Sequence, residues 1–378
     1  MYYFTFRKNN IFQHQQQLNY TNLTGPVLVQ VIDPYETQNY TCILETQPYF
    51  RLSSNMQKRV IRCQEAIVEM DNILSDFYSV NPEQLYTTFH IPKRTGGLRT
   101  INAPIEEFKE ALTQVKNLFE NKIQALPHNA AYAYIKHRST TDALQKHQKN
   151  NSQWYLKVDI KDFFPNCTPE YIFNTLMQLF PFHFISERYK QLLKRIIVQC
   201  CLNNGLPQGT PTSPILTNLI MLPIDHTITT CLKSNLDRHY VYTRYADDIL
   251  ISAETDFDYK KMVEYLNSVL QPQFSIKQEK TRYGSRAGRN WNLGLMVNKD
   301  NQITLGHRKK KLLHAMLNNF LYDATQDQYW SKEDTYTLQG QLSYLAYIEP
   351  DYHKNLIKKY ETKYKLKYKN ILKFILNN

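Results

Sequence analysis

Two adjacent aspartates, Asp247 and Asp248, interrupt an apolar part of the chain and restrict its fold more than any other feature. The residues on either side, His239–Arg244 and Ile249–Ala253, have the composition of two strands joined by a tight turn. Neighbouring carboxylates at such a turn repel each other unless a positive charge lies beside them. A solvated surface turn is the ordinary explanation of an aspartate pair, but the apolar flanks make it less natural here.

A third acid, Asp159, lies near the end of another apolar strand-like segment, Trp154–Ile160, in a similar context. The three carboxylates are therefore expected to meet at one site. Magnesium prefers carboxylate and phosphate oxygens as ligands. Two such ions bridged by these acids would hold the attacking and leaving oxygens of a phosphoryl displacement. The sequence thus predicts a site for two Mg²⁺ ions, which Mn²⁺ could replace.

Hydrophobic periodicity predicts strands and helices that are mixed without regular alternation, which favours the α+β class. Strands are predicted at Val27–Ile32, Tyr86–Pro92, Leu98–Ile101, Trp154–Ile160, His239–Arg244, Ile249–Ala253, Phe274–Ile276 and twice within 290–305. Helices are predicted over 55–75, 105–126, 169–201 with a break near Pro181, 215–229, 259–270 and from His307 onward.

Charge and cysteine usage restrict the partners. The chain has 46 Lys and Arg against 34 Asp and Glu, a formal net charge of +12. This surplus suits nucleic acid, because neutralised phosphates release condensed counterions, although a merely soluble basic protein is equally consistent. The six cysteines form no CxxC pair, and neither a signal peptide nor an 18-residue apolar run is present. We expect a cytoplasmic protein with no membrane partner.

Three segments resemble, in order and spacing, the first palm motifs of reverse transcriptases, in the form of the retron, group II intron and defence-associated bacterial enzymes. They are Val158–Pro165, Gly205–Pro214 and Tyr245–Asp248. The resemblance covers residues 55–320 and implies a right-hand polymerase, with a palm of antiparallel sheet plus helices and a helical thumb. The implied lobes are an N-terminal extension at 1–55, fingers at 56–154, palm at 155–302 with a fingers insertion at about 166–204, and thumb at 303–378.

The resemblance also implies roles in catalysis. Asp159 and Asp247 would hold both magnesium ions, Asp248 would support the site, and Ile160 would be a further metal ligand. Lys280 matches the lysine of the fourth palm motif, which could neutralise or protonate the leaving pyrophosphate.

Five residues are expected at the nucleotide: Lys93, Arg99, Phe164, Gln208 and Gly209. Lys93 and Arg99 match the fingers hairpin that grips the triphosphate, although charges at a hairpin tip are often only solvated. The Phe164 ring would collide with a 2′-hydroxyl and so favour deoxynucleotides, while Phe163 is assigned to the core. Gln208 and Gly209 match the loop near the nucleotide and template, where close backbone approach explains the glycine.

Three residues are expected at the nucleic acid. Lys136 and Arg138 resemble template-side contacts, and a solvated basic loop is equally consistent. Gly294 lies in a segment similar to the primer grip, where retron enzymes typically carry Val-Thr-Gly and this chain has Asn292-Leu293-Gly294. The basic, tyrosine-rich C-terminal helices would hold duplex or structured RNA, or would be a solvated bundle.

The predicted function is an RNA-directed DNA polymerase that copies a structured non-coding RNA with dNTPs into a DNA product, in bacterial anti-phage defence. A homo-oligomer or an accessory protein is compatible with this function. Untemplated or protein-primed DNA synthesis at the same site is one alternative, and a catalytically silent RNA-binding module is another.

Overall fold

The computed structural model describes residues 3–6, 27–32, 40–44, 53–92, 96–234, 238–286, 291 and 294–377, the first three stretches as backbone only. The strands are β1 (Tyr3–Phe6), β2 (Val27–Ile32), β3 (Tyr40–Leu44), β4 (Tyr86–Pro92), β5 (Leu98–Pro104), β6 (Trp154–Asp159), β7 (Val241–Tyr245), β8 (Asp248–Ala253), β9 (Arg282–Ser285), β10 (Leu295–Val297) and β11 (Ile303–Leu305). The helices are α1 (Ser54–Leu74), α2 (Glu106–Asn117), α3 (Thr140–Lys149), α4 (Pro169–Leu176), α5 (Glu187–Gln199), α6 (Ser213–Ile220), α7 (Leu222–Lys233), α8 (Tyr259–Leu270), α9 (His307–Thr325), α10 (Lys332–Ile348), α11 (Pro350–Tyr364) and α12 (Tyr368–Asn377).

Strands and helices mix along the chain as predicted, and the class is α+β. Within the described residues the antiparallel sheets have the orders β1-β2-β3, β4-β5, β7-β8-β6-β9 and β10-β11. The chain divides into two compact units. The first comprises Met1–Tyr134, Ile160–Ile228 and Leu266–Ser275, and the second comprises Ile135–Asp159, Thr229–Tyr265 and Ile276–Asn378.

The first unit contains α1, which begins where the Ser53 side chain accepts a hydrogen bond from the Met56 amide. Its apolar stripe is buried at Cys63, Ala66, Ile67, Met70 and Leu74. The hairpin β4–β5 is anchored at its base, where the buried Tyr86 ring meets Phe108 of α2 edge-on at 5.7 Å. The rest of β4 and most of β5 are exposed or partly exposed, so the hairpin projects from a fixed base.

The second unit is built on the four-stranded sheet β7-β8-β6-β9. Helix α3 packs on one face of this sheet, where the buried His147 ring bridges Ser252 on β8 and Thr243 on β7 at 2.6 and 2.8 Å. Burial, assisted by the charge of Lys146, lowers the pKa of His147 to about 3, so the ring is neutral. The neutral ring therefore links α3 to β7 and β8 through two hydrogen bonds.

The same face of β6 joins the core of the C-terminal helices. Tyr155 stacks on Trp291 with ring centroids 5.2 Å apart. Both rings belong to a buried cluster that also includes Leu313, Phe320 and Leu342 from α9 and α10. The helices that follow β11 are thereby attached to the sheet through apolar packing.

Several predicted elements have different limits. The predicted helix over 215–229 is two helices, α6 and α7, because Pro223 lacks an amide and clashes with the preceding turn. Phe274–Ile276 forms no regular strand; there, the Lys161 amide donates to the Ser275 carbonyl at 2.8 Å. The predicted helix over 105–126 ends at Asn117 and continues as a π-helical turn, Leu118–Lys122.

Among the described residues, no single helix is long and apolar enough to cross a bilayer. The pair α6 and α7, bent by 42° at their junction, passes the same criterion only when the two are taken together.

Gly205→Ala is expected to lower the free energy of unfolding by about 1–3 kcal/mol, since the added Cβ would lie 2.5 Å from the Pro165 carbonyl oxygen. The control is Gly340→Ala in α10, where the same atom meets open space. Its expected effect is a gain of about 0.5–1 kcal/mol from helix propensity. Urea unfolding followed by circular dichroism measures both variants, and equal stabilities would contradict the close main-chain approach at Gly205.

Candidate active site

Strand register brings two of the three predicted acids together. Asp159, the last residue of β6, lies directly opposite Asp248, the first residue of β8. Directly opposed residues of antiparallel strands share one face of the sheet, so both carboxylates belong to the same face. Tyr245 ends β7 opposite Asp248, which leaves Ala246 and Asp247 as the two-residue turn between the strands. Asp247 is thereby placed at the end of the sheet beside the other two acids.

The turn uses an unusual backbone conformation. Ala246 has φ 55°, in the left-handed region that costs a residue with a Cβ about 1–2 kcal/mol. The guanidinium of Arg244, which is almost completely buried, donates from Nη1 to the Ala246 carbonyl oxygen at 3.0 Å. This charge-assisted hydrogen bond offsets the backbone cost and fixes the turn that carries Asp247. The sequence analysis assigned no role to Arg244.

Two lysines form ion pairs with two of the three carboxylates, those of Asp159 and Asp248. Lys280 Nζ lies 2.8 Å from Asp159 Oδ2, and Lys157 Nζ lies 2.8 Å from Asp248 Oδ2. Lys280 was predicted at this site from the fourth palm motif. Lys157 was not, although its position two residues before Asp159 on a strand puts both side chains on one face. This alternation of side chains along the strand could have predicted that Lys157 lies near Asp159.

The pKa of Asp247 reflects the burial and the negative charge around it. Burial, followed by the negative charges of Asp248 and Asp159, raises the pKa of Asp247 to about 6, and the Lys280 ammonium opposes this only in part. A carboxyl in such surroundings is destabilised when it ionises. The three acids therefore form a cluster in which added positive charge would be favourable.

The donor set suits a hard divalent cation, because carboxylate oxygens that repel one another gain most from sharing one. In the part of the chain that the structure describes, however, no three His, Cys, Asp or Glu side chains are arranged as ligands of one ion. Two of the three acids bond to lysines instead, so metal binding would require at least one of these lysines to move. The Ile160 side chain has no ligand atom, which leaves only its main-chain carbonyl for the predicted role.

The predicted nucleotide residues lie in the first unit. Arg99 is exposed on β5, opposite Ile91 of β4. The carbonyl of Gln208 accepts a hydrogen bond from the Asn102 amide of β5 at 2.9 Å. Gly209 has φ 118°, and a Cβ there would come within 3.0 Å of the Ile101 side chain. The loop with Gln208 and Gly209 thus packs directly on the strand that carries Arg99, whereas Lys93 lies outside the described residues.

Phe164 connects the first two motifs. Its carbonyl oxygen accepts a hydrogen bond from the Leu206 amide at 3.0 Å, and its ring is partly exposed. Phe163 is buried, with its ring 5.4 Å from that of Phe274, which agrees with its assignment to the core. The two neighbouring rings therefore differ in their burial.

The residues predicted at nucleic acid lie on other elements. Lys136 is exposed and Arg138 partly exposed in the loop before α3. Gly294 has φ 101° just before β10, in the left-handed region that favours glycine. The adjacent Trp291 is fixed by its ring nitrogen, which donates to the Arg286 carbonyl at 3.2 Å. These residues therefore belong to the loops before α3 and β10 and not to the strands that carry the carboxylates.

Comparison with known proteins agrees with the geometry. The family described as reverse transcriptase (RNA-dependent DNA polymerase) matches residues 91–332. The Retron Ec73 reverse transcriptase of Escherichia coli is 32% identical over an alignment of 279 residues, which covers 71% of this chain and 85% of that protein. The Retron Ec83 reverse transcriptase of Escherichia coli is 29% identical over 79% of this chain and 92% of that protein.

A structural match is more distant. A telomerase from Candida albicans, in complex with a TWJ fragment of telomeric RNA, matches with a TM-score of 0.45 and 15% sequence identity. The match covers 77% of this chain and 63% of the telomerase chain, less than two thirds of its length. No property of the telomerase is transferred to this chain at that level of likeness.

Asp247→Asn is expected to raise the free energy of unfolding at pH 7 by about 1–3 kcal/mol. The reason is that the pKa of Asp247 is raised, so the stability contributed by its protonated form is present below pH 4 and lost as the pH rises through about 6. The gain from Asn should therefore be small at pH 4 and full at pH 7. Denaturant unfolding across this range measures it.

The matched control is Asp258→Asn, which removes one exposed negative charge before α8. Hydrogen bonds from the backbone amides of Lys261 and Lys260 lower the pKa of Asp258, so its charge is favourable and the variant should gain no stability. An Asp247→Asn variant that is no more stable than wild type at pH 7 would contradict the charge crowding at the turn.

Proposed function

Since this chain belongs to the reverse transcriptase family and is an RNA-directed DNA polymerase of the bacterial retron type, we propose that its catalytic centre is formed by Asp159, Asp247 and Asp248. The observation that carries the proposal is the register of β6 and β8, which opposes Asp159 to Asp248 and leaves Asp247 in the adjoining turn.

Asp159 and Asp247 would hold two divalent metal ions, preferably Mg²⁺, with Asp248 in support and the Ile160 carbonyl as a further ligand. When bound, the ions would supply charge stabilisation for nucleotidyl transfer. Lys280, released from Asp159, is the proposed proton donor to the departing pyrophosphate. Its side chain is half-exposed, so it could turn away from Asp159 without a change in the sheet.

Nucleotide selection is assigned to residues of the first unit. Arg99, with Lys93, would bind the triphosphate, and arginine is suited to bidentate contact with phosphate oxygens. Gln208 and Gly209 would line the sugar and template side, which the packing of their loop on β5 supports. Phe164 would exclude the 2′-hydroxyl of ribonucleotides.

The template is proposed to be a structured non-coding RNA, and the biological role to be anti-phage defence in the cytoplasm. The formal net charge of +12 and the similarity to retron reverse transcriptases support an RNA partner. Lys136 and Arg138 would contact the template, and Gly294 would lie at the primer. The same proposal includes an N-terminal extension and three lobes. They are the extension at 1–55, fingers at 56–154, palm at 155–302 with an insertion at about 166–204, and thumb at 303–378.

Helices near the C-terminus supply cationic and aromatic pairs for such a partner. Lys363 Nζ lies 4.7 Å from the centre of the partly exposed Tyr364 ring, whereas Tyr360, beside Lys359, is buried in the core and supports this helix from within. Paired cations and rings can bind phosphates and stack with bases. These helices are therefore the proposed surface for duplex or folded RNA.

Asp159→Asn should reduce dNTP incorporation at least ~10³-fold, because a carboxylate that holds the catalytic cations is lost. Primer extension on an RNA template with Mg²⁺ measures it, with Asp258→Asn as the control that keeps wild-type activity. Sequencing the RNA that co-purifies and the DNA made from it identifies the template. Full activity in Asp159→Asn would refute the proposed centre, and unstructured RNA in the complex would refute the proposed template.

Phe164→Val should lower the discrimination between dNTP and rNTP by roughly 10–100-fold, because the smaller side chain leaves space for a 2′-hydroxyl. The ratio of kcat/KM for dCTP and CTP measures this discrimination. Phe163→Leu is the control: it removes volume from the buried neighbour and should lower stability without changing the ratio. Identical ratios in wild type and Phe164→Val would exclude Phe164 as the selecting residue.

A further inference from the structure

Lys157 has an unusual position for a lysine. It lies in the interior of β6 between Leu156 and Val158, which are both completely buried. The main chain around it is held on both sides, since Lys157 is opposite Leu250 of β8 and Arg282 of β9. A lysine that is largely enclosed destabilises the fold unless its ammonium is paired. Its placement therefore indicates that the charge is required at this point.

The partner of Lys157 is Asp248. The two side chains are 19% and 18% exposed, and Nζ lies 2.8 Å from Oδ2. Lys157 is directly before the Val158–Ile249 pair and two residues from the opposed Asp159 and Asp248, on the same face. The lysine stem therefore runs along the sheet face toward the carboxylates, and the ammonium is held beside Asp248 by the strand.

The second lysine of the cluster is held differently. Lys280 ends a short 3₁₀ turn, Gln278–Lys280, and its side chain is 48% exposed where it meets Asp159. Although the Asp159 side chain is only 10% exposed, an ammonium that is half-exposed is readily solvated, whereas breaking a pair in which both side chains are below one fifth exposure leaves an enclosed lysine unpaired. Lys280 can therefore leave Asp159, while Lys157 remains with Asp248.

We propose that Lys157 is a positioning residue that keeps the Asp248 carboxylate fixed and its charge compensated, so that Asp159 and Asp247 are the two acids open to divalent cations. This inference rests on the proposed use of the three acids in catalysis. Without Lys157, Asp248 would be free to swing toward Asp247, and its uncompensated carboxylate would add to the repulsion at this end of the sheet. The expected consequence is a slower chemical step with unchanged nucleotide binding, since Lys157 is assigned no contact with the nucleotide.

The first test measures the ion pair itself, in metal-free protein with EDTA. Lys157→Met, Asp248→Asn and the double variant form a thermodynamic cycle read by thermal unfolding. Lys157→Met should lower Tm by roughly 3 °C or more in wild type and by less than half of that shift in the Asp248→Asn background. Equal shifts in the two backgrounds would overturn the pairing.

The second test measures the consequence for the reaction by single-nucleotide extension. Lys157→Met should reduce kcat at least tenfold and leave KM for dNTP within twofold, whereas Lys157→Arg, which keeps the charge, should recover most of kcat. Arg195→Met is the control, because Arg195 on α5 and Asp71 on α1 form an ion pair 2.5 Å long between residues that have no assigned catalytic or binding role. It should lower Tm without changing kcat.

Each outcome of the second test decides one point. A loss of kcat in Arg195→Met equal to that in Lys157→Met would assign the effect to general destabilisation and overturn the inference. Unchanged kcat in Lys157→Met, or no recovery in Lys157→Arg, would also overturn it. If wild type and Asp159→Asn incorporate dNTPs equally, the proposed catalytic centre fails instead, and the metal-free cycle still reports on the pair.

Discussion

The repulsion among three carboxylates is the constraint on which the second unit is organised. Asp159, Asp247 and Asp248 are brought to one end of a sheet, where burial and, after it, the charges of the other two acids raise the pKa of Asp247. The protein tolerates this cluster by adding Lys157 and Lys280 beside it. The site is thus less stable than an apolar strand end would be, and added positive charge beside it would be favourable.

The remainder of the sheet supplies the rigidity that such a cluster needs. Further along the same face of the sheet, His147 of α3 bonds to β7 and β8, and the Tyr155 ring stacks on Trp291. The buried Arg244 guanidinium stabilises the turn through its hydrogen bond to the Ala246 carbonyl oxygen. A further network ties the sheet edge to the β10–β11 turn, since Arg286 Nη1 donates to Asn301 at 3.0 Å. These contacts leave the acids little freedom except in their side chains.

The sequence predicted the local elements that have strong periodic patterns, and the exceptions have physical causes. The strands around Asp247 and Asp248 and the helix over 259–270 follow directly from apolar spacing. The division of α6 from α7 depends on Pro223, whose effect competes with a continuous apolar pattern. The position of Lys157 two residues before Asp159 predicts that both side chains lie on one face of the strand. It does not predict which acid the lysine will pair with.

Residue type and local order were enough to predict the family and three candidate acids, from the aspartates in strand contexts, the Gly205–Pro214 loop and the basic surplus. Folding then sets the pairing of β6 with β8, the left-handed turn supported by Arg244, and the ion pairs that join one lysine to Asp159 and another to Asp248. Strand register and ion pairs join residues far apart in the chain, and their energies depend on burial that exists only after the sheet has assembled.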